Sequence, residues 1–129
     1  MNDLLAGRRV LVVEDEILLV MMIEDMLGDL GCTSVITATT VAQALALIDG
    51  QTFDAAMLDM NLGGMGTQSV ADALAAHDVP FIYSTGNSTR DMADYRVSPV
   101  LRKPFSFEEL AESLTTLLTP DGPSPTGQA

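Results

Sequence analysis

Five short apolar segments alternate with segments of helical periodicity, and this alternation constrains the fold more than any other feature of the chain. The apolar segments predict strands and cover residues 10–13, 34–38, 53–58, 81–85 and 100–102. Helical patterns follow at about residues 17–30, 41–50, 67–76, 87–95 and 107–118. This order predicts an α/β fold: a doubly wound, five-stranded parallel sheet with five helices covering both of its faces.

Local signals mark where several of the predicted helices begin and end. Thr40 and Gln43 form a capping box before the second helix, and Ser106 and Glu109 form another before the last helix. Gly31 is predicted to end the first helix. The glycine-rich segment 62–66 is expected to be a flexible loop between the third strand and the third helix.

The length of 129 residues suits a single domain. Residues 1–118 are predicted to form it, and residues 119–129, with three prolines from position 120 onward, to be a disordered tail. The single cysteine, Cys32, has no intramolecular disulfide partner and is expected to be buried. With no signal peptide and no apolar run near the ~20 residues that span a bilayer, we expect a soluble, cytoplasmic protein.

The charge balance is strongly acidic, with 18 Asp and Glu against 6 Lys and Arg, for a formal net charge of −12. A surface of this sign repels a phosphate backbone, so the composition argues against a non-specific nucleic-acid binder. Five of the six basic residues are arginines, and Lys103 is the only lysine.

Reactive side chains follow four of the five predicted strands. The first strand is followed by Glu14 and Asp15, the third by Asp59, the fourth ends at Thr85, and the fifth leads to Lys103. Because ligands bind beyond the carboxyl ends of parallel strands, we expect these side chains to converge at one edge of the sheet.

Three converging carboxylates repel one another, and a hard divalent cation such as Mg²⁺ relieves that repulsion. Together with the cation and Lys103, the cluster carries no net charge, which suits an incoming phosphoryl group. Asp59 is the best candidate nucleophile, because an apolar strand holds it in place. The Thr85 hydroxyl, the Gly86 amide and the Lys103 ammonium group are the candidate phosphoryl ligands.

Four short motifs at this edge occur together in the order and spacing of a known family. They are Val12-Val13-Glu14-Asp15-Glu16, Met57-Leu58-Asp59-Met60-Asn61, Ser84-Thr85-Gly86 and Lys103-Pro104-Phe105. Over residues 8–118 the chain therefore resembles the CheY-like receiver domain of two-component response regulators. The resemblance implies the strand order 2-1-3-4-5.

The family resemblance also implies a mechanism. Asp59 would accept a phosphoryl group from a phosphohistidine of a sensor histidine kinase or phosphotransfer protein. Asp15 and Asp59 would ligate Mg²⁺ directly, Glu14 would act through water, and Asn61 would contribute its backbone carbonyl.

The same resemblance assigns the remaining site residues. Thr85 would be the switch hydroxyl and Lys103 the phosphate-binding cation, with the backbone amides of Met60 and Gly86 contacting the phosphoryl oxygens. The Lys103–Pro104 peptide bond would be cis.

Two positions depart from the common pattern of the family. Val100 stands where many members have an aromatic switch residue, so that part of the switch is not carried over, although Tyr83 or Tyr95 is a possible substitute. Gly63 stands where many members have proline, which predicts a more mobile loop. Residues 80–86 resemble a subgroup of stand-alone, single-domain receivers that also lacks the aromatic residue.

The favoured function is therefore a signalling receiver, not an enzyme acting on an external substrate. Its output would be phosphorylation-dependent contact with a downstream protein, with no nucleic-acid or membrane partner. Two alternatives stay open: a magnesium-dependent phosphohydrolase with an aspartate nucleophile, and a receiver-like binding module that is not phosphorylated. Haloacid-dehalogenase hydrolases usually have aspartate two positions after the nucleophile, where this chain has Asn61.

The first predicted helix carries apolar side chains nearly all round, including Ile17, Leu18, Met21 and Met22. One side belongs to the core. For Met21 and Met22, a core position and a partner-docking position are equally compatible with the sequence.

Overall fold

The computed structural model describes residues 4–86 and 100–118. Its strands are β1 (Arg9–Val13), β2 (Ser34–Ala38), β3 (Ala55–Asp59), β4 (Asn61–Leu62), β5 (Met65–Gly66), β6 (Phe81–Thr85) and β7 (Val100–Arg102). Its helices are α1 (Ile17–Asp29), α2 (Val41–Gly50), α3 (Gln68–Ala76) and α4 (Phe107–Leu118). The predicted helix over residues 87–95 and the predicted tail over residues 119–129 lie outside the described residues.

The main sheet has five strands in the order β2-β1-β3-β6-β7, and all four neighbouring pairs are parallel. This is the predicted order 2-1-3-4-5, because β6 and β7 are the predicted fourth and fifth strands. The fold class is therefore confirmed. Among the described residues, no helix combines the length and the apolar composition needed to cross a lipid bilayer.

Alternate residues of β1 face opposite sides of the sheet, which explains why that strand is aliphatic throughout. Leu11 and Val13 belong to an apolar cluster that also holds buried residues of α2 and α3. Val10 and Val12 belong to a second cluster, which holds buried residues of α1 and α4. A strand covered on both faces needs apolar side chains at every position. Cys32 is buried in the second cluster, as predicted.

The predicted helix boundaries have clear physical causes. Gly31 adopts a φ of 93°, and the amides of Gly31 and Cys32 donate to the carbonyls of Gly28 and Leu27, both at 3.0 Å. This pair of bonds is a Schellman motif, and it ends α1 where predicted.

Both capping boxes are present, although the first is incomplete. The Ser106 amide donates to Glu109 Oε1 at 2.8 Å, and the Glu109 amide donates to Ser106 Oγ at 3.1 Å. Before α2, the Gln43 amide donates to Thr40 Oγ1 at 3.1 Å, whereas the Gln43 side chain accepts from the neighbouring Thr39 amide.

The segment expected to be a flexible glycine-rich loop forms a small hairpin instead. Strands β4 and β5 pair antiparallel, with Asn61 opposite Gly66 and Leu62 opposite Met65. Gly63 and Gly64 form the turn with φ values of 58° and 88°, which is the two-residue conformation that favours tight hairpins. The sequence interpretation missed the hairpin because each strand is only two residues long.

Candidate functional site

Three carboxylates meet at the carboxyl edge of the sheet. In the parallel register Val13 pairs with Leu58, so Glu14 and Asp15 leave β1 beside the last residue of β3, Asp59. One oxygen from each of the three carboxylates lies within 4.8 Å of the others. Glu14 and Asp59 are 1% and 5% exposed, whereas Asp15 faces solvent. The predicted convergence of these residues is therefore observed.

Lys103 enters this cluster from the segment after β7. Its Nζ atom lies 2.9 Å from Glu14 Oε1 and 3.1 Å from Asp59 Oδ2. The Lys103 backbone amide donates to the Thr85 carbonyl at 2.7 Å, which continues the β6–β7 pairing and fixes the start of the side chain. The Lys103–Pro104 peptide bond is cis, as the family resemblance implied.

Burial and charge shift the protonation equilibria of two of these groups. Burial raises the pKa of the Glu14 carboxyl, and the charge of Asp59 raises it further, against the opposing effects of Lys103 and the Glu16 amide. For Lys103, burial alone lowers the pKa, but hydrogen bonds to Glu14 and Asp59 outweigh it, and the pKa is raised. The site therefore holds a firmly charged lysine beside a carboxyl group that is costly to ionise.

Hydrogen bonds restrict the orientation of the Asp59 carboxylate. The Asn61 amide donates to Asp59 Oδ1 at 3.1 Å, while Lys103 Nζ donates to Oδ2 at 3.1 Å. The Asn61 side chain in turn accepts from the Gly64 amide at 2.9 Å. The hairpin after β3 is thus bonded to the carboxylate that precedes it.

Of the predicted phosphoryl ligands, Thr85 and Gly86 lie at the carboxyl edge of the sheet, whereas the Met60 amide is bonded within the sheet. Thr85 is buried at the end of β6, and Gly86 follows it at the exposed edge. The Met60 amide does not face the site, because it donates to the Ser84 carbonyl at 3.0 Å within the sheet. The predicted role of the Met60 amide is therefore corrected: the amide that contacts the Asp59 carboxylate is that of Asn61.

Val100 lies in β7 directly opposite Tyr83 of β6. Tyr83 is buried, and its ring stands edge-on to Phe81 with centroids 5.2 Å apart. An aromatic side chain is therefore adjacent to the position where many receivers have one, although it comes from a different strand. Tyr95, the other suggested substitute, lies outside the described residues.

Two features near the site were not identified from the sequence. Thr67 is 1% exposed, and its hydroxyl donates to the Asp59 carbonyl oxygen at 2.6 Å. A threonine before a helix indicates an N-cap, so the sequence held no signal for this contact. The second feature is the hairpin turn: a side chain at Gly63 would place its Cβ atom 3.6 Å from Asp15 Oδ2.

The sequence of residues 10–115 matches the family described as the response regulator receiver domain. The chain belongs to this family. Its fold and its acidic edge are those of a receiver, and receivers are signalling proteins that interact with sensor histidine kinases or phosphotransfer proteins. No curated protein sequence matches the chain significantly.

Solved structures of receivers resemble this one closely. SdrG from Sphingomonas melonis Fr1 is 46% identical, with a TM-score of 0.77, and the match covers 87% of this chain and 97% of SdrG. The receiver domain of the sensor histidine kinase PA1611 from Pseudomonas aeruginosa PAO1 is 28% identical, with a TM-score of 0.76 and coverages of 88% and 98%. The PA1611 structure has a magnesium ion coordinated in its active-site cleft.

A third neighbour is the receiver domain of the PhyR response regulator from Erythrobacter litoralis. It is 27% identical to this chain, with a TM-score of 0.78, and the match covers 92% of this chain and 96% of that domain. All three matched structures are receivers. The acidic cluster of this chain, formed by Glu14, Asp15 and Asp59, fits the site of a phosphorylatable response regulator.

Proposed function

We propose that the protein is a response regulator whose Asp59 accepts a phosphoryl group from a phosphohistidine of a sensor histidine kinase or phosphotransfer protein. The observation that carries this proposal is the placement of Asp59 between a lysine and two further carboxylates at the carboxyl edge of the sheet. In the transfer, an Asp59 oxygen bonds to phosphorus as the phosphorus–nitrogen bond breaks, and the electron pair of that bond returns to the imidazole nitrogen.

The side chains around Asp59 supply the electrostatic part of this reaction. Lys103, already 3.1 Å from Asp59 Oδ2, is placed to neutralise charge on the transferred group. The Thr85 hydroxyl and the Gly86 amide, at the end of the neighbouring strand, are the proposed hydrogen-bond donors to its oxygens. The Asn61 amide holds the Asp59 carboxylate in position through Oδ1.

The donor set fits Mg²⁺, which prefers oxygen ligands and commonly uses one or two carboxylates with several waters. Asp15 and Asp59 are the proposed direct ligands, with the Asn61 backbone carbonyl; Glu14, which contacts Lys103, would act through water. When bound there, Mg²⁺ would offset negative charge on the carboxylates and on an incoming phosphoryl group. The excess of three carboxylates over one lysine leaves negative charge for such a cation to balance.

We infer that the protein donor contacts the exposed apolar side of α1. This helix begins two residues after Asp15, so a donor that reaches Asp59 passes beside it. Its first turns expose Ile17 and Leu18, at 65% and 74%, together with Met21 and Met22. Apolar exposure of this extent next to a charged site is typical of a protein interface.

The cytoplasm, where such donors are phosphorylated, is the compartment that this function requires.

Intact mass spectrometry tests the function directly. With Mg²⁺ and acetyl phosphate, we expect one added phosphoryl group on the wild-type chain and none when chelator is added first. Asp59→Asn should abolish the addition, whereas Asp25→Asn, a matched change at an exposed residue of α1, should not. Repeated turnover of unrelated phosphate esters would instead favour a phosphohydrolase, and a chain that is never labelled would favour an unphosphorylated binding module.

A further inference from the structure

Thr67 lies between the hairpin and α3 and contacts the backbone of the proposed phosphoacceptor. Thr67 is 1% exposed, and its hydroxyl donates to the Asp59 carbonyl oxygen at 2.6 Å. The two residues are eight positions apart in sequence, so this bond connects the end of the hairpin segment back to its beginning.

The Thr67 hydroxyl is not used as a helix cap, although threonine is a favoured residue at that position. Thr67 is the N-cap residue of α3, yet its side chain accepts no hydrogen bond from the first turn of the helix. Thr40, at the same position of α2, does accept one from the Gln43 amide. The difference indicates that the Thr67 side chain is oriented by its bond to Asp59 and not by the helix.

Three hydrogen bonds hold the segment from Asp59 to Thr67 in one conformation. The Asn61 amide donates to Asp59 Oδ1, the Gly64 amide donates to Asn61 Oδ1, and the Thr67 hydroxyl donates to the Asp59 carbonyl. The segment carries both the carboxylate of Asp59 and the backbone carbonyl of Asn61. A change in its conformation would therefore alter two of the proposed magnesium ligands together.

We propose that Thr67 is a positioning residue for the acidic site: its buried hydroxyl holds the Asp59–Asn61 backbone in the conformation that presents its oxygens to a cation. The magnesium part of this inference rests on the proposed function, while the effect on the backbone does not. Substitution of residues that hydrogen-bond to metal ligands, and so orient them, commonly lowers metal affinity 10- to 100-fold.

The test uses the full chain with four substitutions. Thr67→Val replaces the hydroxyl with a methyl group and keeps the shape of the side chain. Thr67→Ala removes the hydroxyl and puts no methyl group in its place, and Thr67→Ser retains the hydroxyl. Thr40→Val removes a true helix cap, which makes no hydrogen bond to Asp59, and serves as the stability control. For each variant, NMR measures hydrogen exchange of the Asn61 amide in chelator, and then amide shifts during titration with Mg²⁺ alone.

We expect both variants without the hydroxyl to speed exchange of the Asn61 amide about fivefold, as for the loss of one hydrogen bond, and to raise the Mg²⁺ dissociation constant about tenfold. Thr67→Ser should stay within about twofold of wild type for both quantities, and Thr40→Val should lower thermal stability without changing the Mg²⁺ affinity. If Thr67→Val fails to fold, the comparison of Thr67→Ala, which lacks the hydroxyl, with Thr67→Ser, which retains it, tests the same inference.

Two results would overturn the inference. One is wild-type exchange and affinity in the variants that lack the hydroxyl, and the other is an equal loss of affinity in Thr40→Val, which would indicate an effect of global stability. If the wild-type chain itself shows no response to Mg²⁺, the metal part of the proposed function fails. The exchange rate of the Asn61 amide in chelator still decides whether Thr67 positions the backbone.

Discussion

Lys103 makes its shorter ion pair with Glu14, whose Oε1 atom lies 2.9 Å from the lysine nitrogen, and not with Asp59, at 3.1 Å. The lysine therefore compensates two carboxylates at once when no cation is bound. Since the Lys103 side chain is only 17% exposed and Glu14 and Asp59 are buried, the loss of this one cation affects both partners. We therefore expect the stability of the fold and the proposed chemistry of the edge to depend on the same residue.

Lys103→Met should destabilise the metal-free protein by about 2–4 kcal/mol, because it leaves buried carboxylates without their cation. Urea unfolding in chelator measures the change. Arg102→Met removes a neighbouring but exposed cation and should change the free energy of unfolding by less than about 0.5 kcal/mol. Phosphorylation of Lys103→Met by acetyl phosphate should also slow by about 100-fold. Equal destabilisation by the two substitutions would contradict the role given to Lys103.

Asp59→Asn should stabilise the protein in chelator, because it relieves repulsion among the three carboxylates. We expect a gain of about 1 kcal/mol, or roughly 4 °C in the thermal midpoint. Asp25→Asn makes the same change of charge at an exposed position and should leave the midpoint within about 1 °C. A midpoint for Asp59→Asn at or below that of wild type would show that Lys103 already outweighs the repulsion.

The double variant that carries both Lys103→Met and Asp59→Asn separates the attraction between Lys103 and Asp59 from the repulsion among the carboxylates. In the Lys103→Met background, Asp59→Asn no longer removes an attractive partner of the lysine, so its stabilising effect should be larger than in wild type. We expect a coupling energy of about 1–2 kcal/mol from the double-mutant cycle in chelator. Strict additivity would mean that the ion pair at 3.1 Å contributes nothing to stability.

The convergence of the acidic residues could be predicted from the sequence because it depends only on topology. Once the segments before Glu14 and Asp59 are assigned to parallel strands, their carboxyl ends must meet at one edge. The cluster, and the approach of Lys103 to it, needed no knowledge of side-chain torsion angles. The structure bears out both expectations.

The contacts that were not predicted depend on individual hydrogen bonds. Which acceptor the Met60 amide uses depends on the exact register of β3 against β6, and the sequence does not specify that register. The Thr67 hydroxyl had two possible uses, and only the side-chain conformation distinguishes a helix cap from a bond to Asp59. The hairpin after β3 was missed because two-residue strands carry no periodicity.

The stability of the metal-free protein should decrease with rising pH in a way that depends on Glu14. Burial raises the pKa of Glu14 above its usual value of 4.5, and the charge of Asp59 adds to the rise. The folded protein therefore binds this proton more tightly than the unfolded chain does. Its contribution to stability is fully present below pH 4.5 and is lost as the pH rises through the folded-state pKa.

Glu14→Gln isolates this contribution, since glutamine does not titrate. In chelator, the free energy of unfolding of Glu14→Gln minus that of wild type should increase as the pH rises from 4.5 toward neutrality, as measured by urea unfolding. Lys103, whose pKa is raised, stays charged throughout this range. Glu24→Gln, the same substitution at an exposed position of α1, is the matched control. A constant difference for Glu14→Gln would contradict the raised pKa.

Leu18→Ser should impair phosphorylation by a protein donor and leave the chemistry of Asp59 intact. Leu18 is 74% exposed on α1, so its replacement removes apolar contact area without opening a cavity in the core. With a phosphorylated histidine kinase that labels the wild-type chain, we expect kcat/KM for transfer to fall by about tenfold. With acetyl phosphate, the rate should match wild type, because this small donor needs no docking surface.

Ala46→Ser, at an exposed position of α2, is the matched control and should leave both rates unchanged. A parallel loss with both donors would mean that Leu18 supports the acidic site, and unchanged transfer from the kinase would exclude this side of α1 as its docking surface.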